Sequence, residues 1–212
     1  SILSKLCDKH ICLIADTLND EDCLRIISSI TSSWGGVDIL INNVGGGGRW
    51  GNECILETEG SVWKEVLDKN LFSSIKYTKS FLPHMIEKKW GRVICITSIY
   101  GKQIGGRPWF NLAKSSQNVL MKNLSQNKSY SGCNITFNSV APGPIYIKNT
   151  GWADLERESP NVFQRYIEDN IPRGKMGTPE EVADVVLFLC SNGSALINGA
   201  TIACDGGQGV CL

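Results

Sequence analysis

Short apolar runs alternate along the chain with longer stretches in which apolar residues recur at helical spacing. The short runs predict strands at 11–15, 37–41, 92–97, 134–140 and 200–203. The longer stretches predict helices at 20–33, 61–80, 109–125 and 178–189. Strands separated by helices indicate a doubly wound α/β fold, a parallel sheet with helices on both faces, in a single domain.

The residues that follow the predicted strands are mostly polar or rich in glycine. They are Asp16, the segment 42–48, Thr97-Ser98, Pro142-Gly143 and Asp205-Gly206. Right-handed crossovers between parallel strands bring the carboxyl ends of the strands to one edge of the sheet, where such sheets bind ligands. We therefore expect a ligand site at that edge.

Composition and charge argue against two kinds of partner. The 212 residues carry 21 basic and 21 acidic side chains, so a formal net charge of zero offers no electrostatic attraction to nucleic acid or to an anionic membrane. The longest apolar run, Val185 to Cys190, is far shorter than the roughly 20 residues of a membrane span. We expect neither a nucleic acid nor a membrane as a partner.

Nine cysteines are scattered through the chain without any Cys-x-x-Cys pair. Their spacing suits no zinc site, and two histidines leave little for another metal, so no metal site is predicted. An odd number of cysteines in apolar stretches indicates buried free thiols in a reducing compartment, which is the cytoplasm.

Several short motifs stand at the predicted strand ends and on the predicted helices. They are Asn42-Asn43-Val44-Gly45, Lys69-Asn70-Leu71, Ile96-Thr97-Ser98-Ile99-Tyr100-Gly101, Pro108-Trp109-Phe110-Asn111-Leu112-Ala113-Lys114, Pro142-Gly143, Gly177-Thr178-Pro179-Glu180-Glu181 and Asp205-Gly206-Gly207. In this order and at these intervals, from about Ile11 to the C-terminus, they resemble the short-chain dehydrogenase/reductase family, in the branch that includes the 3-oxoacyl-carrier-protein reductases. The resemblance implies one Rossmann-like domain over residues 1–212.

The resemblance also implies a reaction, the NAD(P)-dependent interconversion of a ketone and a secondary alcohol. In that family a tyrosine phenol protonates the alkoxide that hydride transfer leaves. A lysine four residues later lowers the phenol pKa and holds the nicotinamide ribose, a serine binds the substrate oxygen, and an asparagine supports a water that leads to the lysine. By resemblance, Asn70, Ser98 and Lys114 carry these roles here, and position 110 is that of the tyrosine.

Position 110 is a phenylalanine, which has no proton to donate. Because general acid–base catalysis contributes roughly 10²–10⁴-fold, we expect the chain to turn over weakly or not at all. Tyr100 is a candidate substitute, although it lies ten residues upstream and not one helical turn from Lys114. Phe110 is interpreted as either an engineered trap or a natural handicap.

The resemblance assigns cofactor contacts to Asp16 and Thr17 on the adenine side and to Asn43, Gly45, Lys114, Pro142, Gly143 and Ile145. The cofactor is NAD or NADP. Ile147 stands where the family often has a threonine near the cofactor amide. No Gly-x-x-x-Gly-x-Gly turn precedes Asp16, so dinucleotide affinity is expected to be severely reduced. The cluster 45–48 opens no helix and is interpreted as a flexible loop.

The chain lacks room for the N-terminal β-α-β unit, because fifteen residues precede Asp16 and such a unit needs about 30. In the family's strand order, 3-2-1-4-5-6, strands 1 and 2 would lie between 11–15 and 37–41. Either the sequence is incomplete, or 11–15 moves beside 37–41, or another chain fills the gap. Incompleteness is the favoured hypothesis.

Further expectations concern the lid and the partners. Residues 145–170 resemble the family's mobile substrate lid, with a solvated surface excursion as the alternative. A homodimer or homotetramer is expected through helices 61–80 and 109–125, with a small carbonyl or alcohol compound as substrate. The alternative function is a non-catalytic family member that serves as a structural or regulatory subunit, including a hetero-oligomer with an active homologue.

Overall fold

A computed structural model describes residues 10–48, 50–52 and 54–211. Four strands form one parallel sheet in the order β1-β2-β3-β4, with bounds Ile39–Asn42, Gly91–Ile96, Ile135–Pro142 and Thr201–Cys204. The helices α1 to α8 are Asp20–Trp34, Gly60–Leu67, Ser73–Lys88, Pro108–Ser125, Lys128–Ser131, Gly151–Glu158, Pro160–Asn170 and Pro179–Cys190. The parallel sheet with its flanking helices confirms the predicted fold.

Both faces of the sheet are covered. On one face α3 and α4 pack on β2 and β3, in a core of Leu82, Met85, Val93, Cys95, Met121, Ile135 and Phe137. On the other face α8 packs on the same strands, through Ile94, Val140, Val186 and Leu189. Burial on both sides explains why β2 carries the apolar run Val93 to Ile96 without alternation.

The last connection of the sheet differs from the two before it. The helices α3 and α4 follow β1 and β2 and lie on one face, whereas α8, between β3 and β4, lies on the other. All three connections advance by one strand in the same direction, so the β3–β4 crossover has the opposite hand to the first two. The expectation of right-handed crossovers throughout is therefore wrong for one of them.

The strand predicted at 11–15 does not form. Backbone groups of this segment bond to side chains of α1 instead of to a neighbouring strand. The Arg25 guanidinium donates to the Ile14 carbonyl oxygen at 2.7 Å, and the Asp16 N–H donates to Asp22 Oδ2 at 2.9 Å. The segment therefore makes no ladder with β1, which excludes within this structure the alternative that it pairs there.

The long helix predicted at 61–80 is interrupted. It runs from Gly60 to Lys88, with a π-helical turn at Asp68–Phe72 between α2 and α3. Such turns recur at functional sites, because they displace a helical residue from the regular register. The turn contains Asn70, which is fully buried.

Local signals at the last helix behave as predicted. Thr178 caps α8, Pro179 is its first residue, and the Glu181 carboxylate accepts from the Thr178 N–H, which completes the capping box. The segment predicted as a lid contains two helices, α6 and α7, and not irregular backbone. Their apolar sides pack around Phe163, Ile167, Ile171 and Met176.

The cysteines in the described part of the chain are free, although not uniformly buried. Cys7 lies outside the described residues. Cys23 and Cys95 are buried, whereas Cys12, Cys54 and Cys211 are exposed, so the expectation of buried thiols is wrong for those three. In the same part of the chain, no helix combines the length and the apolarity needed to cross a membrane.

Candidate active site

The carboxyl edge of the sheet collects the residues that the sequence singled out. Asn43 follows β1, Ser98 follows β2 by two residues, and Gly143 follows β3 directly. The strands are parallel and adjacent, so these positions lie along one edge. The helix α4 begins beside this edge and carries Phe110 and Lys114.

One cavity of about 280 Å³ joins Ser98 to Phe110. The described residues that line it come from the loops after β1, β2 and β3, from α4, α6 and α7 and from the C-terminal segment. They are Gly48, Ser98, Ile99, Tyr100, Gly106, Phe110, Gly143, Pro144, Trp152, Tyr166 and Gln208. The structure thus brings Ser98, Phe110 and Gly143 together.

Lys114 lies under this cavity and is 4% exposed. Its ammonium donates to the Ile96 carbonyl oxygen at 3.1 Å and to Gln117 Oε1 at 3.0 Å. It lies 5.7 Å from the centroid of the Phe110 ring, within the range of a cation–π contact. Burial lowers the pKa of Lys114 to about 8, because removal from water disfavours the charged amine.

Gln117 connects Lys114 to the π-helical turn. Its amide donates to the Asn70 carbonyl oxygen at 2.8 Å and to Ser74 Oγ at 2.9 Å. Lys114, Gln117 and Asn70 are each buried, so the hydrogen bonds that join these three residues are shielded from water. The Gln117 side chain thus links Asn70 to Lys114, and the water-mediated contact between these two residues stays a prediction.

Asn70 also holds the loop after β1. Its amide donates to the Gly46 carbonyl oxygen at 2.9 Å and to the Val66 carbonyl oxygen at 2.8 Å, and its Oδ1 accepts from the Gly46 N–H at 3.2 Å. The exchange with Gly46 fixes the loop on the helix that carries the π turn. Asn70 therefore acts on the site through backbone contacts as well as through Gln117.

The glycines of this loop allow close packing. A Cβ on Gly45 would lie 2.7 Å from Asn70 Oδ1 and 3.0 Å from Lys114 Nζ, and a Cβ on Gly48 would lie 3.5 Å from the Phe110 ring. The segment 45–48, interpreted from sequence as a flexible loop, is thus a packed cover over Asn70, Lys114 and Phe110. A side chain at Gly45 has no room.

Phe110 also belongs to a small apolar core. It packs with Trp50, Val62, Trp63 and Leu67 around the buried side chains of Val66, Trp109 and Ala113. The Phe110 ring thus bridges this core and the cavity that contains Ser98. Tyr100 lines the same cavity. Burial raises the pKa of Tyr100, and the neighbouring Tyr166 raises it by a smaller amount.

The remaining predicted cofactor residues lie around the end of β1. Thr17 and Asn43 line a hollow of about 320 Å³, and Asn43 also lines a groove of about 700 Å³ with Pro142 and Ile145. Asp16 lines neither, and its carboxylate accepts from the Leu18 N–H at 3.0 Å. Ile147, where the resemblance expects a threonine, lies in the groove.

Comparison with known proteins adds an independent finding. A family model described as Enoyl-(Acyl carrier protein) reductase matches residues 2–208, nearly the whole chain. The chain belongs to the short-chain dehydrogenase/reductase family. Its similarity is to the 3-oxoacyl-carrier-protein reductase-like branch, as the sequence motifs predicted.

Relatives of this short-chain dehydrogenase/reductase cover most of its length. It is 34% identical over 191 residues to a 3-oxoacyl-[acyl-carrier-protein] reductase of Aquifex aeolicus, which covers 90% of this chain and 73% of the relative. It is 32% identical over 195 residues to an acetoacetyl-CoA reductase of Rhizobium meliloti, over 91% of this chain and 76% of the relative.

A solved structure supports the fold of this family member. The L-sorbose reductase of Gluconobacter frateurii, complexed with NADPH and L-sorbose, superimposes with a TM-score of 0.84 at 26% identity. The match covers 94% of this chain and 77% of that one. The similarity therefore extends over nearly the whole of this chain.

Several site residues of this short-chain dehydrogenase/reductase escaped sequence reasoning. Gln117 lies three residues after Lys114 on one helix face, a spacing that could have identified it. Tyr166 was covered only by the broad lid prediction, and Gln208 carried no signal. The helix α7 and the C-terminal segment meet only in the folded chain.

Proposed function

We propose that this short-chain dehydrogenase/reductase is an NAD(P)-dependent oxidoreductase that interconverts a ketone and a secondary alcohol. The observation that carries the proposal is the shared cavity of Ser98 and Phe110, with the Lys114 ammonium 5.7 Å from the Phe110 ring. This is the arrangement that the family resemblance implies for a carbonyl site. The NADPH and L-sorbose named for the similar Gluconobacter reductase support the same class of cofactor and substrate.

Two spaces that meet at Asn43 would receive the two ends of a dinucleotide. The hollow that contains Thr17 and Asn43 would take the adenine side, and the groove with Pro142 and Ile145 would take the nicotinamide side. The groove is largely apolar and lies against α8, and Asn43 belongs to both spaces. When bound, the nicotinamide group supplies or accepts the hydride.

Ser98 and Lys114 would do the remaining work of the site. Ser98 Oγ accepts from the Tyr100 N–H at 3.2 Å, which leaves its own proton for the substrate oxygen. The charge of Lys114 favours developing negative charge at the substrate oxygen. Phe110 offers no proton to the alkoxide, so we expect slow turnover whose limit is protonation.

Dinucleotide binding tests this proposal before any substrate is known. NADPH and NADH are titrated into the protein, and binding is followed by energy transfer from tryptophan to the nicotinamide. Saturable binding of at least one is expected, weakened at least ten-fold by Asn43→Leu. Leu196→Ala, at a residue 99% exposed and outside both spaces, is the control and should bind unchanged. Absence of saturable binding by either dinucleotide contradicts the proposal.

A second candidate is a non-catalytic family member that acts as a structural or regulatory subunit. It is favoured by Phe110, whose ring is part of an apolar core and needs no chemistry to explain it. Exposed apolar side chains on the π turn, α3 and α4, namely Phe72, Ile86, Leu112 and Val119, support association through these helices.

Assembly distinguishes the two candidates. A subunit should co-purify with an intact homologue from its native cell at a fixed stoichiometry. An enzyme of this family should form a homodimer or homotetramer on its own, which light scattering measures. A pure and stable homo-oligomer that ignores an added homologue argues against the subunit function.

A further inference from the structure

We propose that the cavity between Ser98 and Phe110 takes an uncharged, ring-bearing carbonyl compound as its substrate. The identity of the reacting group rests on the proposed function, whereas the charge and shape of the ligand follow from the walls. Those walls combine four aromatic side chains with a few polar groups, and none of the described residues that line the cavity is charged.

The lack of charge selects against anionic substrates. Ser98, Tyr100, Tyr166 and Gln208 supply the polar side chains in the described wall, and all are neutral groups. A carboxylate or phosphate moved from water into such a space loses its hydration, which is costly. The nearby Lys114 ammonium does not line the cavity and already donates to Ile96 and Gln117. A neutral carbonyl compound pays no such penalty.

The aromatic residues give the cavity its shape. Tyr100 and Phe110 lie on the side of the sheet edge, and Trp152 and Tyr166 come from the lid helices. The rings of Trp152 and Tyr166 pack with centroids 4.7 Å apart at an interplanar angle of 38°. Aromatic walls on both sides favour a planar or cyclic ligand that offers matching apolar faces.

The lid side of the cavity is fixed to the C-terminal segment. The Gln208 amide donates to the Tyr166 phenol oxygen at 3.0 Å, which leaves the phenol proton free to donate to a ligand oxygen. Gln208 itself is held in a turn in which the Asp205 carboxylate accepts from the Gly207 and Gly209 N–H groups. The polar group opposite Ser98 is therefore positioned by the fold.

The volume limits the ligand further. At about 280 Å³ the cavity lies at the lower end of ligand sites, which typically measure roughly 300–1,000 Å³. One or two fused rings match this space better than an extended acyl chain does. The favoured substrate is a compact cyclic ketone or the matching alcohol.

A matched pair of probes tests the inference by binding alone. The neutral ketone 1-tetralone and its 6-carboxylate are titrated into the full chain by calorimetry at neutral pH. We expect 1-tetralone to bind at least ten-fold more tightly than its carboxylate. Gln208→Lys, which places a cation in the wall, should reduce or reverse that preference.

Two further variants locate the binding. Trp152→Ala should weaken 1-tetralone binding at least five-fold, and Trp152→Phe, which retains a ring, should restore most of it. Trp34→Ala, at the exposed end of α1 and outside the cavity wall, is the matched control and should bind like the parent.

Two outcomes overturn the inference. One is equal or tighter binding of the carboxylate, and the other is no saturable binding of either probe. NADPH and NADH binding is measured on the same preparations without the ketone. If a dinucleotide binds but 1-tetralone is not preferred over its carboxylate, only this inference is contradicted. If 1-tetralone binds as expected but neither dinucleotide binds, only the proposed function is contradicted.

Discussion

The Lys114 ammonium donates a hydrogen bond to Gln117 Oε1 at 3.0 Å, one helical turn along α4. The same glutamine donates onward to the Asn70 carbonyl oxygen, so one neutral side chain spans the space between two residues that the family motifs indicate. Because all three residues are buried, water does not compete for the hydrogen bonds that join them.

Gln117→Leu should lower the pKa of Lys114 further below its usual range. The substitution removes a hydrogen-bond acceptor from the charged amine and retains the burial that disfavours it. It should also destabilise the fold by about 1–3 kcal/mol, because the amine and the Asn70 carbonyl each lose a partner. The lysine amine is titrated by NMR, and stability is measured by urea unfolding.

Asn123→Ala is the matched control for that variant. Asn123 lies on the same helix and is exposed, so its truncation should leave both the Lys114 titration and the stability close to those of the parent. A Lys114 pKa that is unchanged or raised in Gln117→Leu would show that the glutamine does not support the charge.

Gly45→Ala should destabilise the protein by about 1–3 kcal/mol through overpacking. Its Cβ would lie 2.7 Å from Asn70 Oδ1 and 3.0 Å from Lys114 Nζ, both of which are held by other hydrogen bonds. Gly60→Ala provides the comparison, since a Cβ at the start of α2 meets nothing within 4 Å. Urea unfolding that gives both variants the stability of the parent would contradict the packed loop.

Stability should depend on pH through Lys114. Its pKa of about 8 in the folded protein lies below the ordinary 10.5, so between these values the unfolded chain binds more protons. The free energy of unfolding of the parent, relative to Lys114→Met, should therefore rise as the pH increases from about 8 to 10.5. The total rise is on the order of 3 kcal/mol.

Urea unfolding of both proteins across that pH range checks this prediction. Below about pH 8 the difference between parent and variant should be constant, because the lysine is then charged in both the folded and the unfolded state. If the difference in the free energy of unfolding between parent and Lys114→Met stays constant up to pH 10.5, or falls, the Lys114 amine is not buried in the folded protein.

The sequence predicts the sheet better than it predicts what surrounds the site. The strands β1 to β4 are short apolar runs bounded by turn residues, and the pattern finds them. The run 11–15 is apolar too, yet the Ile14 carbonyl oxygen bonds to Arg25 of α1, and the N–H of Asp16, which follows the run, bonds to Asp22. Periodicity alone cannot reveal that a strand lacks a partner.

The candidate site divides in a similar way. Ser98 and Lys114 belong to short sequence motifs, so the residues adjacent to them in the sequence are enough to identify them. Tyr166 and Gln208 are 42 residues apart, and a tertiary contact between their side chains creates that wall of the cavity. The packed state of the loop at Gly45 likewise depends on Asn70 and Lys114, which are distant in sequence.

We propose that this is an oxidoreductase site that lacks one proton donor. The most direct test is the rate of ketone reduction by Phe110→Tyr, followed by loss of nicotinamide absorbance with NADPH or NADH and a panel of neutral cyclic ketones. A tyrosine at this position places a phenol beside the Lys114 ammonium, and Phe110→Leu serves as the control.

The account predicts that Phe110→Tyr reduces at least one ketone about 10²–10⁴-fold faster than the parent, and that Phe110→Leu gives no such gain. Adding Ser98→Ala to Phe110→Tyr should remove most of the gain. If Phe110→Tyr folds and binds dinucleotide as the parent does, yet reduces no ketone faster, the account is contradicted.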